Sequence, residues 1–189
     1  PPAPPSQCVC ELKRGVLALL STGHASLNQR ADACTLSGFL PLHAVTANGL
    51  TDMYNFLRTL PPKYRPSSEQ LTCDGRVSDH DLSALSPLQI ACRLGQSRML
   101  KHVLKREKTN MLWKWGSVSA FQTDLAGIDS SGAGARDCLE IVADLDASEA
   151  TQSFLLDSFM QGFLYRLFKE KWNKYGSKLH YAWRLLDCA

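Results

Sequence analysis

The chain has 189 residues, 44% hydrophobic and 21% charged, which are ordinary values for a globular protein and exclude wholesale disorder. The formal net charge of +3 is too small to indicate nucleic acid as a partner. Seven cysteines, an odd number at irregular spacing, do not form a disulfide scaffold and favour a reducing compartment.

The first segment, residues 1–6, is rich in proline and lacks the charged start and apolar run of a signal peptide. It is typical of a linker or of the edge of a larger protein. Residues 10–20 then predict a helix that Gly23 ends, the second half of an incomplete unit. The close pair Cys8 and Cys10 is better explained by helix packing than by a metal, so no metal site is predicted.

Two segments predict an internal repeat. Leu-Pro-Leu-His-Ala-Val at 40–45 and Ser-Pro-Leu-Gln-Ile-Ala at 86–91 both resemble the ankyrin signature T-P-L-H-x-A. Their prolines lie 46 residues apart, against ~33 in a plain ankyrin repeat. The surplus falls in 61–81, a stretch rich in Pro, Ser, Asp and Gly that predicts a long finger loop. The signature residues are Pro41, Leu42, His43, Ser86, Pro87, Leu88, Ala91 and Gly95.

The chemistry of these residues supports helix pairs. Ser86 can cap a helix whose first residue is Pro87, and Gly95 can end it in the left-handed conformation. His43 is expected to brace its turn. Residues 1–109 are thus predicted to form a partial ankyrin-repeat domain of about two and a half repeats, which needs stacked neighbours.

The hydrophobic period changes after residue 110. Trp113 and Trp115 would share one face of a strand, a turn at Gly116 follows, and residues 118–121 can return as its partner. A two-stranded hairpin is marginal alone, so a third strand or a packed helix is expected. The predicted linker, 110–150, also contains a short helix from residue 138 to 145.

A long helix is predicted after Ser148, and residues 151–189 form the third region. Its apolar stripe comprises Phe159, Phe163, Leu164, Leu167, Phe168, Trp172 and Tyr175. Six basic residues against two acidic ones follow from Arg166 onward, together with Tyr181 and Trp183. This composition suits a membrane–water interface and anionic lipid, although an ordinary surface helix packed on its own domain has the same composition. No apolar run reaches the ~18 residues that span a bilayer.

Taken together, residues 38–183 resemble the cytosolic N-terminal region of vanilloid-type transient receptor potential (TRPV-like) cation channels. In that family a linker motif close to W-x-x-G-P-[VL]-x-x-x-L-Y-D-L-x-x-I-D-S follows the ankyrin repeats. The matching residues here are Trp113, Gly116, Val118, Asp124, Leu125, Ile128, Asp129 and Ser130. Ser117, Gln122 and Thr123 depart from the motif, which indicates a distant member. Leu-Glu-Ile-Val at 139–142 and residues 168–175 match the next two family motifs, the second with Phe168 in the Leu place.

The resemblance implies a mainly α protein in which a β-hairpin and a helical membrane-proximal linker follow the repeats. The parent would be a multi-pass homotetrameric ion channel with calcium as permeant ion, and this region would be cytoplasmic. Family linkers dock on the neighbouring subunit, which implies intersubunit contacts for Trp113, Trp115, Val118 and Phe121. Coupling to the membrane domain is implied for Phe168, Lys171, Trp172 and Tyr175. Alternatively, the two tryptophans cover the hairpin's own core.

Two other functions compete with the channel. A soluble ankyrin adaptor would bind a partner protein through its repeats, but plain adaptors end in a polar capping repeat. An enzyme is not predicted, because no histidine or cysteine has a nucleophile setting and no phosphate-binding glycine loop follows a strand. No catalytic residue and no cofactor are therefore assigned. Asp124 and Asp129 are expected to cap turns instead of binding calcium. Calmodulin or nucleotide binding, known on early repeats of some relatives, is not carried over, because those repeats are mostly missing.

Overall fold

The computed structural model describes residues 5–23, 26–28, 33–34, 37–73, 82–129, 136–143 and 163–187. The chain divides into two units, Pro1–Leu145 and Asp146–Ala189. The described residues are mainly helical, with one two-stranded antiparallel sheet. The expected fold class, mainly α with a small β-hairpin, is confirmed at this level.

In the part of the chain that the structure describes, five helices precede the hairpin: α1 (Pro5–Ser21), α2 (Pro41–Ala47), α3 (Thr51–Thr59), α4 (Pro87–Arg93) and α5 (Ser97–Val103). A π-helical turn, Leu104–Lys108, joins α5 to the strands β1 (Thr109–Trp115) and β2 (Val118–Thr123). The first unit then has α6 (Cys138–Ala143), and the second unit has α7 (Phe163–Lys171), a π-helical turn (Trp172–Gly176) and α8 (Ser177–Asp187).

Helices α2–α3 and α4–α5 are two copies of one helix pair, offset by 46 residues. Gly49 and Gly95 both have a positive φ, of 67° and 66°, and each follows the first helix of its pair. Pro41 and Pro87 both occupy the first helical turn. The two segments with similar sequences therefore have the same arrangement of proline, helix and left-handed glycine in the backbone.

The core lies between these helices. Helix α2 packs against α3 and α4, helix α4 also packs against α5 and α6, and α1 packs against α3. Leu42, Leu57, Ile90 and Met99 are at most 1% exposed there. Full burial of such side chains contributes about 1.5–3 kcal/mol each, so this shared apolar layer holds the pairs together.

The predicted loop, 61–81, lies between α3 and α4, and the described part of that loop, 61–73, consists of turns and irregular structure. Its end is held to the helix pairs, because the Cys73 N–H donates to the Gly38 carbonyl at 2.9 Å and the Thr72 N–H to the Leu85 carbonyl at 3.0 Å. The remainder of the predicted loop, residues 74–81, lies outside the described residues.

The described part of the second unit is helical from Phe163 to Asp187. The predicted start after Ser148 and the apolar residue Phe159 lie outside the described residues. Gly176 is required at the π turn, because a Cβ there would lie 2.6 Å from Cε3 of Trp172. In the described parts of the chain, we find no helix that combines the length and the apolarity needed to span a membrane.

Candidate functional site: the exposed hairpin

A polar anchor joins the start of the hairpin to the first helix pair. Glu107, in the π turn before β1, forms a bidentate ion pair with Arg58 of α3, with N–O distances of 2.8 and 2.6 Å. The side chains of Arg58 and Glu107 are only 17% and 10% exposed. Arg58 also donates to the Pro66 carbonyl at 2.6 Å. One guanidinium therefore links α3, the long loop and the start of the hairpin.

A second set of contacts closes the base of the hairpin. The Asp124 N–H donates to the Lys108 carbonyl at 2.7 Å. The ammonium of Lys108 lies 3.4 Å from the carboxylate of Asp124 and 3.3 Å from that of Glu69. We call Arg58, Glu107, Lys108 and Asp124 the hairpin anchor.

Asp124 also caps the turn that follows β2, as the sequence predicts for this residue. Its Oδ1 accepts a hydrogen bond from the Ala126 N–H at 3.0 Å. This hydrogen bond and, secondarily, the nearby Lys108 charge lower the pKa of Asp124 below its ordinary value. The chain then buries Ile128 completely, so the hairpin has a firm attachment on both of its ends.

The two strands pair antiparallel, with Trp113 opposite Ala120 and Trp115 opposite Val118. The register shifts between Met111 and Trp113, which makes Leu112 the extra residue of a β-bulge. Bulges redirect side chains and strengthen the local twist, and they often stand beside functional surfaces.

The hairpin exposes an unusual amount of apolar surface. Trp115 is 84% exposed and Trp113 is 52% exposed, so the tryptophans do not cover a core of the hairpin's own. The other large apolar side chains of the strands are all more than half exposed: Met111, Leu112, Val118 and Phe121. Exposed apolar surface of this extent marks an interaction site in a protein region that lies in water.

The predicted contact residues divide between the two faces of the hairpin. Trp113, Trp115 and Val118 lie on one face, because side chains alternate along a strand and Trp115 pairs with Val118. We call these three residues the aromatic face. Phe121 lies three residues after Val118 and therefore belongs to the opposite face, with its partner Met111.

The repeat-signature residues are structural and lie within the helix pairs. Ser86 accepts a hydrogen bond from the Gln89 N–H, and Gln89 Oε1 accepts one from the Ser86 N–H at 2.7 Å, so the two form a capping box. Leu42, Leu88 and Ala91 are buried.

His43 braces its turn, as expected. Its Nδ1 accepts a hydrogen bond from the Leu40 N–H at 3.2 Å, and its Nε2 lies 2.8 Å from the Gln70 carbonyl oxygen. An N–H only donates and a carbonyl only accepts, so the ring is neutral with its proton on Nε2. Burial lowers the pKa of His43 below 6.5 and outweighs the hydrogen bond to Gln70.

The predicted coupling residues lie on the helices of the second unit. Phe168, Trp172 and Tyr175 are 55%, 46% and 57% exposed. Lys171 lies beside them as the last residue of α7. Further along, Leu179, Tyr181, Trp183 and Leu186 are each at least 60% exposed. This unit thus presents apolar, aromatic and basic side chains at once, as interfacial helices do.

Several structural contacts were not predicted. The Arg58–Glu107 ion pair joins residues 49 positions apart, and Gln89 Nε2 donates to the Arg136 carbonyl 47 positions away. No local pattern signals such pairs. The repeat does give one indication of these contacts. Gln89 in α4 occupies the position of His43 in α2, and both side chains bridge the N-cap residue of their helix to a distant carbonyl.

A cleft of about 250 Å³ opens beside the hairpin anchor, and its walls include Leu88, Val103 and Gly127. The charged side chains on its walls, Glu69, Glu107 and Lys108, all take part in ion pairs. Across the residues that the structure describes, no three His, Cys, Asp or Glu side chains converge as a metal site requires.

Comparison with known proteins gives no relative to set beside this geometry: no family model matches the chain, and no curated protein matches it. The features of the chain that bear on its function are the exposed hairpin, the hairpin anchor and the basic aromatic helices of the second unit.

Proposed function

We propose that this chain is the assembly and gating-coupling region of a tetrameric, calcium-permeable, TRPV-like cation channel, lying on the cytoplasmic side of the membrane. In this proposal the two helix pairs are ankyrin repeats, and the hairpin docks on the repeats of the neighbouring subunit. The helices of the second unit then lead toward the pore-forming part of the protein and contact membrane lipid.

The observation that carries the proposal is the exposed aromatic face on a firmly anchored hairpin. Trp115 alone is 84% exposed, and solvating indole rings on an ordered strand is unfavourable. Two pairs of contacts, Arg58–Glu107 and Lys108–Asp124, hold the base of the hairpin. A rigid, preorganised apolar surface binds a partner with little loss of conformational entropy.

The helix pairs support the ankyrin part of the proposal. Each pair has a proline in the first turn, a buried leucine after it and a left-handed glycine after the first helix. Repeats of this kind need neighbours to cover their apolar faces. Leu12, Leu17 and Leu19 of α1 are 49%, 49% and 62% exposed, which fits a stack that has further contacts on that side.

A soluble ankyrin adaptor remains the alternative. It would use the surface of the helix pairs to bind its partner and would not need the hairpin. The basic aromatic helices of the second unit favour the channel, because an adaptor has no use for a surface suited to a membrane interface.

The experiment compares Trp113→Ser and Trp115→Ser variants of the complete gene product with the unaltered protein. The particle mass after detergent extraction measures assembly, and calcium uptake into cells measures channel function. We expect loss of the tetramer and of calcium entry in the double variant. Lys114→Ser is the matched control, because Lys114 is exposed on the same strand between the two tryptophans and lies on the opposite face of the hairpin. A tetramer that survives the tryptophan changes would contradict the proposal.

A further inference from the structure

A serine in the long loop between α3 and α4 follows two basic residues that are open to solvent. Ser67 lies in an irregular part of the loop and is exposed. Arg65 precedes it by two positions and Lys63 by four, and both are exposed as well. Basophilic serine kinases select their substrates by the positive charge that precedes the serine. The loop therefore presents an accessible hydroxyl together with the charge pattern that such a kinase recognises.

A cavity of about 590 Å³ opens beside this serine, and its walls include Asn28, Arg58, Arg65 and Ser67. Nε of Arg65 donates to the Leu60 carbonyl at 3.1 Å. The two terminal nitrogens of Arg65 have no hydrogen-bond partner among the residues that the structure describes. Because a guanidinium has five N–H donors, four of those of Arg65 remain for an anion.

Arg58 brings a second guanidinium to the same cavity. Three of its N–H groups are used, two on Glu107 and one on the Pro66 carbonyl, so two remain. Glu69 is the wall residue that opposes an anion, but its side chain is 74% exposed and lies 3.3 Å from the ammonium of Lys108. Two guanidinium groups with unused donors are the usual receptor for phosphate oxygens in proteins.

Backbone contacts hold Ser67 at the edge of the cavity. Its N–H donates to Oδ1 of Asn28 at 3.0 Å, and its hydroxyl oxygen accepts from the Glu69 N–H at 3.3 Å. The hydroxyl proton has no acceptor among the described residues. The oxygen is therefore placed beside the guanidinium groups, and no hydrogen bond has to break when its proton is removed.

Two other hydroxyl residues of the chain, Ser68 and Thr109, have an arginine three positions before them and are less suited to a kinase. Ser68 is half-buried. Thr109 is half-buried at the start of β1, and its hydroxyl donates to the Leu104 carbonyl at 3.1 Å. Exposure thus favours Ser67 among the described candidates.

We propose that Ser67 is a phosphorylation site for a basophilic serine kinase, and that Arg65 and Arg58 then hold the phosphate in the cavity. The phosphate ties the long loop more firmly to α3. Because Arg58 also belongs to the hairpin anchor, the modification acts at the point where the loop, α3 and the hairpin meet. This site is independent of the channel proposal, because it needs only the loop and the cavity.

The modification transfers one phosphoryl group from ATP. The Ser67 hydroxyl oxygen attacks the γ-phosphorus, and the bond from that phosphorus to the oxygen that bridges to the β-phosphorus breaks. ADP leaves with the electron pair of that bond, and the hydroxyl proton passes to the catalytic aspartate of the kinase. The product carries a charge of about −1.5 to −2 at neutral pH, opposite the two guanidinium groups.

The test incubates the unaltered chain with ATP, Mg²⁺ and the catalytic subunit of a cAMP-dependent protein kinase, and mass spectrometry of peptides locates the phosphate. We expect phosphate on Ser67. Ser68→Ala, the matched control, should keep the initial rate, whereas Ser67→Ala should abolish this transfer. Arg65→Gln should lower the rate by about tenfold, because a charged contact with the kinase is lost. Phosphate on Ser68, Ser78 or Thr109 in place of Ser67, or none at all, overturns the proposal.

Phosphorus NMR of the fully phosphorylated chain tests whether the cavity holds the phosphate. An exposed phosphoserine loses its second proton with a pKa of about 6. Adjacent guanidinium groups favour the dianion, so this pKa should lie lower in the unaltered chain and return toward the exposed value in Arg65→Gln. Amide hydrogen exchange in residues 61–73 should slow on phosphorylation and recover after phosphatase. A phosphate that titrates as an exposed one, or exchange that does not change, contradicts the role of the two arginines.

Discussion

In each helix pair, the residue three positions after the N-cap of the first helix stabilises the start of that helix. His43 and Gln89 are both buried, both accept from the backbone N–H of the cap residue, and both reach a carbonyl in another segment. A buried backbone donor that loses its partner carries a full desolvation penalty. These two side chains therefore stabilise the turns that begin α2 and α4.

The first prediction concerns His43. His43→Ala removes two hydrogen bonds and leaves a cavity, so we expect the free energy of unfolding to fall by about 2–4 kcal/mol. His43→Gln copies the residue of the second pair and should cost less than half as much. Urea unfolding measures both. Equal losses for the two substitutions would contradict the claim that Gln can replace the hydrogen bonds of His43 at this turn.

The same residue makes stability depend on pH. Burial lowers the pKa of His43 in the folded chain below 6.5, so the unfolded chain binds this proton first as the pH falls. The stabilisation is complete above about pH 6.5 and is lost as the pH drops below that value toward the folded pKa. Urea unfolding at pH 7.5 and 5.5 should show a decrease that His43→Gln reduces. His102, whose pKa burial also lowers, contributes the remainder.

Arg58 and Glu107 are the residues that join the helix pairs to the hairpin. Glu107→Ala leaves a largely buried guanidinium unpaired, and we expect a loss of about 2–4 kcal/mol. Glu69→Ala is the matched control, because Glu69 is 74% exposed and its pairing with Lys108 contributes less than about 1 kcal/mol. Thermal or urea unfolding separates the two cases. A loss for Glu69→Ala as large as that for Glu107→Ala would contradict the role of burial.

Among the elements, the hairpin depends for its stability on contacts outside its own two strands. Six large apolar side chains on β1 and β2 are more than half exposed, and the sheet has only two strands. Two-stranded hairpins are marginal in water. The anchor at its base supplies part of the missing stability, and docking on a partner supplies the rest in the proposed assembly.

We therefore expect Trp115 to contribute little to the stability of the isolated chain. Because its side chain is 84% exposed, Trp115→Ser should change the free energy of unfolding by less than about 0.5 kcal/mol. Leu57→Ala, at a position 1% exposed, should lower it by about 2–5 kcal/mol. Chemical unfolding followed by far-ultraviolet circular dichroism measures both. A large loss for Trp115→Ser would mean that the indole packs within the chain.

The helices of the second unit carry the lipid prediction. Changing Lys169, Lys171 and Lys174 together to Gln should weaken binding to vesicles containing phosphatidylserine by up to roughly one hundredfold at low salt, since each charge contributes about 1 kcal/mol. Vesicle sedimentation measures the binding. The control changes three exposed lysines of the first unit, Lys101, Lys105 and Lys114, to Gln. Equal weakening of vesicle binding by the two triple variants would show that binding depends on the total charge of the chain and not on a lipid-facing helix.

Local sequence patterns predict the elements better than their assembly. The cap at Ser86, the proline at 87 and the glycine at 95 each act within one helix turn, and all three behave as expected. The hairpin was also predictable, because alternation and the Gly116 turn are local. The bulge at Leu112 was not, since it depends on the pairing of both strands.

The candidate site could be predicted only in part. The sequence identifies the tryptophans and places both on one face, but burial is a property of the fold, and only the structure shows Trp115 exposed. The Arg58–Glu107 ion pair and the hydrogen bond from Gln89 to the Arg136 carbonyl join residues 49 and 47 positions apart, close to the 46-residue offset of the repeat. Such pairs follow from stacking the helix pairs, which no short motif encodes.

The whole molecule contains a partial stack of helix pairs, an anchored apolar hairpin and a basic aromatic helical unit. In the proposed assembly, another copy covers the aromatic face and the incomplete stack of helix pairs. A head-to-tail contact of this kind closes into a ring when the rotation between copies permits it. Fourfold closure is what the channel proposal requires.

A single-particle map of the complete gene product in lipid tests the central claim most directly. The account predicts a fourfold particle in which the Trp113 and Trp115 side chains of each copy lie against the helix pairs of the next copy, with the helices after residue 163 near the membrane. A particle of one copy without membrane-spanning segments, or a tetramer that leaves the aromatic faces in solvent, would contradict it.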